Sequence, residues 1–403
     1  MKKIQGGVCA PLGFKANGIH CGIRKNKTKR DLSLIVSDVR ASAACVYTQN
    51  LVKGAPILVT KEHVSDGYAQ AIVCNSGNAN TCNADGVEIA EGMCKLVEES
   101  AHISASDVVV ASTGVIGQPL SLEPIAAGMD ELVRGLGDNS ELAAQGIMTT
   151  DTVEKQIAYT FSVGGKECRI GAIGKGVGMI NPNMATMLVF VTTDVDISPA
   201  MLQKALSADV KDSFNMVSVD GDTSTNDMVC VLANGLAGNK KIEETGKDFS
   251  TFRKALAKVT TCLCRKIAKD GEGATKLLEC KVSGAKSKSV ARTVAKSVIK
   301  SSLFKAAMFG SDANWGRVLC AVGYAGADVD VTKVDVDFRS KNGEISVCRG
   351  GSGVPFSEEE AKEVLSADEI EILIGLGDGN GKATAWGCDL TYEYVKINGD
   401  YRT

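Results

Sequence analysis

Histidine is nearly absent from this chain. The 403 residues include three, His20, His63 and His102, each isolated from the others. That scarcity makes a multi-histidine metal centre and a histidine-activated nucleophile improbable; each is expected to be structural or exposed. Proline is scarce too, at 7 residues against 43 glycines, a balance suited to many tight turns between strands. No CxxC occurs among the 14 cysteines, which are spread from Cys9 to Cys388 and often lie in apolar runs such as Ala71-Ile72-Val73-Cys74. They read as buried, reduced thiols rather than as a disulfide framework. The one CxC, Cys262 and Cys264, falls in a helical pattern that points the two thiols apart, so no zinc site is expected there. No apolar run approaches the roughly 20 residues that span a bilayer. Met1-Lys2-Lys3 lacks a following apolar segment, so no secretory leader is expected and the location is read as cytoplasmic. A net charge of −3 gives no strong field toward nucleic acid or membrane.

What is present is a mixture of short apolar runs and helical patterns. Strands are expected at 32–36, 71–74, 108–111, 187–191, 229–232, 334–338, 345–348, 370–374 and 390–395, with a hairpin over 156–173 turning at Gly164-Gly165. Helices are expected at 86–99, 122–135, 199–213, 250–269, 287–307 and 357–365, the third opening on Ser198-Pro199 as N-cap and first helical residue. The basic, amphipathic stretch 286–305 reads as a solvated helix face. Strict βαβ alternation is lacking, so the expected fold class is α+β: a layered sandwich of mixed β-sheets flanked by helices.

The segment from Lys175 to Leu188 carries the chemistry. Gly174, Gly176 and Gly178 precede Asn181-Pro182-Asn183, and the junction Ala185-Thr186 then opens an apolar strand. Cleavage before Thr186 would free an α-amine with a pKa of about 7.7–8, a base carried by the nucleophile itself. The threonine β-branch restricts χ1 and helps orient the hydroxyl. The same hydroxyl can cut the chain by attacking the Ala185 carbonyl, and Ala185 leaves room for it. A glycine loop running into a strand that contains threonine is also an ordinary structural pattern. Two other segments fit the chemistry. Ser112-Thr113-Gly114 closes a strand with a hydroxyl and a bare backbone N–H, a pair able to hold an oxyanion. Glu272 places a carboxylate in the glycine loop 270–276, where it can meet an amine. A Walker A loop is ruled out at 375–384 because Ala383 follows Lys382, and Asp220-Gly221-Asp222 departs from a calcium loop at Thr225.

Nearly end to end, the chain resembles the ornithine acetyltransferases (glutamate N-acetyltransferases) of arginine biosynthesis. The resemblance is carried by Asn75-Ser76-Gly77-Asn78-Ala79-Asn80, 112–117, Met148-Thr149-Thr150-Asp151-Thr152, 175–188, 218–227, 270–276, Asn314-Trp315-Gly316-Arg317, 387–390 and 398–403. It departs at Asn181, where histidine is common, and at Ala313, where proline is more usual. The resemblance implies self-cleavage into an α chain (1–185) and a β chain (186–403) assembling as α2β2. It implies Thr186 as acetyl-carrying nucleophile, Thr113 and Gly114 as oxyanion hole, and Thr152, Lys175, Thr186, Glu272, Asn398 and Thr403 as substrate-binding residues. The implied reaction is a ping-pong transfer of acetyl from N2-acetyl-L-ornithine to L-glutamate. No metal or bound cofactor is expected, and acetyl-CoA is a second donor only if the protein is bifunctional. The rival readings are a self-processing amidase or aminopeptidase, in which water resolves the acyl-enzyme, and an uncleaved, non-catalytic scaffold.

Overall fold

The computed structural model describes residues 1–181 and 187–399. The junction residues Ala185 and Thr186, and the terminal Thr403, lie outside the described residues.

In chain order the strands are β1 (Lys2–Ile4), β2 (Phe14–Ile19), β3 (Leu32–Tyr47), β4 (Tyr68–Asn78), β5 (Val108–Val115), β6 (Lys155–Val163), β7 (Lys166–Lys175) and β8 (Leu188–Thr193). They continue with β9 (Val217–Ser218), β10 (Met228–Ala233), β11 (Leu277–Ala285), β12 (Asp335–Ser340), β13 (Gly343–Arg349), β14 (Ser352–Gly353), β15 (Glu369–Gly375) and β16 (Gly381–Cys388). Nine form one mixed sheet, ordered β1-β6-β7-β8-β10-β3-β4-β5 with β2 on β3. Seven form a second, ordered β14-β13-β12-β15-β11-β16-β9. The fold is the layered α+β arrangement that the sequence pattern predicts.

Strands β8 and β10 run parallel at the middle of the first sheet. Every residue of both is buried, which explains their unbroken apolar runs. Helix Lys247–Lys269 packs on β6 and β7 of the first sheet and on β11 and β16 of the second. Its buried Phe249, Phe252, Leu256, Val259, Leu263 and Ile267 recur at helical spacing and make the stripe that joins the two layers. The 156–173 hairpin is present as β6 and β7, and Gly164 and Gly165 turn it with φ of 56° and 80°. Positive φ at both turn residues matches the right-handed twist of the flanking strands.

Three expectations are corrected. Residues 390–395 do not form a strand: Tyr392–Gly399 is a helix. Asp389 turns the chain away after β16 by accepting from the Thr275 and Lys276 amides at 2.8 and 3.0 Å, and the Thr391 hydroxyl then accepts from the Tyr394 amide. The helix expected over 287–307 is two, Lys288–Lys300 and Ser302–Phe309, because Ser301 is extended (ψ 110°) and caps the second. The basic stretch is not wholly a solvated face. Lys288 and Arg292 pair with Asp212 outside, but Lys296 donates inward to the Asn215 and Val217 carbonyls and Lys305 to that of Val219.

The cysteines form no disulfide, and ten of the 14 are buried. No described helix is long and apolar enough to cross a membrane.

Asp209, the last residue of helix Pro199–Asp209, is buried and accepts from Ser213 Oγ at 2.9 Å. Burial pushes its carboxyl from the ordinary 3.8 up to about 6, the hydrogen bonds only partly opposing this. Between those values the native state holds a proton that the unfolded chain has released, so stability falls as pH rises through the window and stays lower above it. Asp209→Asn is expected to raise unfolding stability at pH 7–8 by on the order of 2–3 kcal/mol and to leave it nearly unchanged below about pH 4. Urea unfolding at the two pH values checks this.

Candidate active site

The ends of strands in the first sheet deliver the site. Strands β4 and β5 are parallel neighbours, with Gly77 opposite Gly114 and a register shift at Asn78. A side chain at Gly114 would lie 2.3 Å from the Gly77 carbonyl carbon, and its φ is 136°. Only glycine fits both the approach and the dihedral. Beneath this crossing the 75–80 motif is a network of side chain-to-backbone bonds. Asn75 Nδ2 donates to the Asn78 carbonyl (3.0 Å), Asn78 Oδ1 accepts from the Asn80 amide (2.8 Å), and Ser112 Oγ donates to Asn75 Oδ1 (2.5 Å). Asn226 Nδ2 donates to the carbonyls of Ala79 and Ser112. The end of β5 that presents Thr113 and Gly114, still paired to β4 where the sequence suggested a glycine turn, is therefore held by buried amides.

The junction is gripped on both sides. Asp220 accepts from the Met179 and Ile180 amides at 2.5 and 2.8 Å. Asn181 donates to the Gly221 carbonyl, and Thr223 donates to that of Asn181. Met187 returns to the sheet by accepting from the Met228 amide. The segment that resembles a calcium loop thus serves the backbone before the junction, and its aspartate receives amides. Asn181 acts here as a clamp.

These elements enclose a cavity of about 120 Å³. Thr113, Gly114, Lys175, Glu272 and Asn398 all line it, together with Met187, the residue that follows Thr186. Glu272 is held from two sides: Thr150 Oγ1 donates to Oε1 and Asn398 Nδ2 to Oε2, both at 2.7 Å. A Cβ on Gly178 would meet Glu272 Oε2 at 2.3 Å, so that glycine admits the carboxylate. Lys175 is buried, with Nζ 3.3 Å from Thr113 Oγ1. Burial lowers its pKa, the like charges of Lys155 and Arg24 lower it further, and Asp151 opposes them.

Thr152 stands apart. It is exposed, does not line the cavity, and donates through its amide and hydroxyl to Asp270. Asp270 belongs to a buried charge knot. Lys155, with no exposed side-chain surface, pairs with Asp151 at 2.7 Å and with Asp270. Asp151 also accepts from the amides of Thr149 and Gly176, both at 3.0 Å. Burial alone would raise its pKa, but the Lys155 and Lys175 ammonium groups and these bonds hold it well below the usual carboxylate range.

Sequence reading quotes Thr149, Thr150, Gly178 and Asn226 of the cavity wall, and Asp151 and Asp220 behind it, only as parts of motifs without a site role, and it does not single out Lys155. The first signal was available, since Thr149-Thr150-Asp151 is a polar run between apolar stretches. Lys155 gave none; it looks like an ordinary strand-end lysine. None of the three histidines lines the cavity, and among the described residues no group of three His, Cys, Asp or Glu could hold a metal ion.

A family model described as the ArgJ family matches residues 15–403. The chain is 49% identical over 405 residues to the arginine biosynthesis bifunctional protein ArgJ of Caldanaerobacter subterraneus subsp. tengcongensis, covering 100% of both chains. It is 46% identical over 406 residues to that of Bacillus subtilis, covering 100% of this chain and 98% of the relative. Among solved structures, the arginine biosynthesis bifunctional protein argJ of Bacillus halodurans is 47% identical with a TM-score of 0.50, over 52% of this chain and 97% of that one.

Lys155→Met would leave two carboxylates buried without their cation. Breaking such a pair costs about 3–5 kcal/mol, chiefly through the uncompensated charge. The variant is expected to unfold at markedly lower urea concentration than the parent at neutral pH, and the gap is expected to narrow in acid as the carboxyls take up protons. Chemical denaturation at pH 7.5 and pH 4.5 checks this.

Proposed function

The chain belongs to the ArgJ family, and from that premise we propose that it is a self-cleaving acetyltransferase of arginine biosynthesis. It moves acetyl from N2-acetyl-L-ornithine to L-glutamate, with acetyl-CoA as a second donor in keeping with the word bifunctional in its relatives' names. The observation that carries this reading is one small cavity. It gathers an ammonium (Lys175), a carboxylate (Glu272) and a hydroxyl–glycine pair (Thr113, Gly114) beside Met187.

In this mechanism the Thr186 hydroxyl attacks the Ala185 carbonyl, and hydrolysis of the resulting ester separates an α chain (1–185) from a β chain (186–403). The freed α-amine then takes the hydroxyl proton as Thr186 attacks the acetyl carbonyl. The Thr113 hydroxyl and the Gly114 N–H stabilise the oxyanion. Ornithine leaves, the acetyl group stays on Thr186, and the glutamate amine accepts it in the second half. Lys175 meets the substrate α-carboxylate. Glu272, aligned by Thr150 and Asn398, meets the substrate ammonium. Thr152 acts through Asp270, and Thr403 completes the substrate pocket. No metal or bound cofactor enters these steps. The solved B. halodurans chain matches about half of this one, the length of a single cleavage product, and this supports the cut. Two α and two β chains form the proposed assembly in the cytoplasm.

Intact mass of the purified protein beside Thr186→Ala tests the nucleophile. The parent is expected as fragments of about 19 and 23 kDa, the shares of the 42.1 kDa chain carried by 185 and 218 residues, and the variant as one uncut chain. A parent that stays whole would sink the mechanism. A second expectation concerns Glu272→Gln. It keeps the shape but removes the charge that meets the substrate ammonium, so kcat/KM for N2-acetylornithine is expected to fall about 10- to 100-fold, the loss of a charge-assisted bond worth roughly 1.5–3 kcal/mol. Steady-state kinetics of ornithine release checks this.

A further inference from the structure

The run Arg24-Lys25-Asn26-Lys27-Thr28-Lys29-Arg30 holds five cations in seven residues and no acid, and the mechanism leaves it unused. Its backbone is not loose. Asp31, fully buried, accepts from the amides of Cys21 (2.7 Å), Gly22 (3.3 Å) and Arg24 (3.0 Å) and lies 3.1 Å from His20 Nδ1. The loop is therefore wrapped on one carboxylate, and its cations are arranged around a concavity of about 420 Å³ floored by Gln145 and Met148. Lys25, Lys27 and Lys29 are exposed and make no ion pair among the described residues. Asp31 is taken up by backbone amides, and Glu141 accepts from Gln145.

Arg24 joins this concavity to the active site. Its guanidinium donates to the Met148 carbonyl, one residue before Thr149 in the catalytic cavity wall. Its Cγ packs where a Gly77 side chain would stand, 2.7 Å from that Cβ position, and Gly77 pairs with Gly114. Its charge also reaches Lys175. Arg24 thus lines the concavity while its contacts at Met148 and Gly77 adjoin Thr149 and Gly114 of the catalytic cavity.

On the proposed reading, Lys175 and Glu272 meet the substrate α-carboxylate and ammonium inside the cavity, and neither ornithine nor glutamate carries a phosphate. A set of exposed lysines that make no ion pair among the described residues fits several phosphates instead. We propose that the concavity formed by Arg24, Lys27, Lys29 and Arg30 binds the phosphate-bearing nucleotide end of a CoA thioester, whose acyl end enters the catalytic cavity past Arg24. This rests on the reading that acetyl-CoA is a second donor. No bond is made or broken at the concavity. It holds the donor while acetyl passes to Thr186 and the CoA thiol leaves with the proton.

The test is the full-length, processed enzyme carrying Lys27→Glu and Lys29→Glu, beside a control with Lys254→Glu and Lys258→Glu on the helix between the sheets. Calorimetric binding of CoA is measured together with steady-state kinetics for both donors. The parent is expected to bind CoA with an affinity that falls steeply with salt. The 27/29 variant is expected to bind at least about tenfold more weakly, with KM for acetyl-CoA raised in step and KM for N2-acetylornithine moved less than about twofold. The control is expected to match the parent. Equal CoA binding by parent and 27/29 variant, an equal loss in the control, or no CoA binding by the parent overturns the site. CoA binding that depends on Lys27 and Lys29 without acetyl transfer from acetyl-CoA keeps the site and removes the second-donor reading. Acetyl-CoA turnover indifferent to both lysines does the reverse.

Discussion

The ammonium of Lys155, wholly buried between Asp151 and Asp270, is the interaction on which the rest of the site depends. It ties together three stretches that are distant in sequence. Asp151 fixes the Thr149 and Gly176 amides, and so the backbone beside Thr150 and Lys175. Asp270 fixes Thr152 and starts the loop that carries Glu272. A buried ion pair is a poor source of net stability, because desolvation cancels most of the attraction. Its value here is geometric. Alternative packings would strand a charge in the interior, so the arrangement that satisfies both carboxylates is selected over its neighbours. Thr150, Lys175 and Glu272 inherit their positions from that selection.

The sheet supplies the other half of the constraint. Strands β7 and β8 enter and leave the cavity as adjacent antiparallel partners, and β10 pins β8 from the far side. The backbone before the junction is fixed by Asp220 and Thr223, and that after it by Met228. The described backbone on either side of the junction is thus anchored. Gly114 and Gly178 make the same point at the level of single atoms. Each is a place where a methyl group would displace a carbonyl or a carboxylate, so the absence of a side chain there creates the binding surface.

How much of this could be read from the residues follows from which forces are local. The runs at 108–111 and 229–232 and the turn at Gly164-Gly165 specify their conformation through neighbours in sequence, and the structure matches them. The placement of Ser112-Thr113-Gly114 at the end of a strand was legible because glycine and small hydroxyl residues after an apolar run leave a distinctive pattern. The stretch 390–395 misled because Tyr392 and Tyr394 alternate with charged and apolar neighbours as a strand would, while the decision was made by Asp389 bonding to Thr275 and Lys276, more than a hundred residues away. Lys155 was illegible for the same reason. Nothing beside it in sequence shows that Asp270 will close over it. Lys296 and Lys305 sit in a basic helical pattern that argues for solvent, and only the carbonyls of 215–219 turn them inward.

Charge is distributed so that two kinds of donor need not compete for one recognition device. Inside the cavity Lys175 and Glu272 oppose one another, which suits a zwitterion and disfavours a polyanion, since added phosphates would meet the Glu272 carboxylate in a desolvated space. Outside it, the loop around Asp31 presents exposed lysines that make no ion pair among the described residues, which suits phosphates and offers little to an amino acid. Arg24 stands at the boundary, its backbone held by Asp31 and its guanidinium on Met148. On the proposed reading the acyl group is common to both donors and is handled by Thr113, Gly114 and the junction threonine, whereas identity is read elsewhere. The amino acid is read within the cavity and the nucleotide beyond its wall. Such a division lets one nucleophile serve two donors without loosening the contacts that align either of them, because each donor spends its own binding energy at its own set of charges.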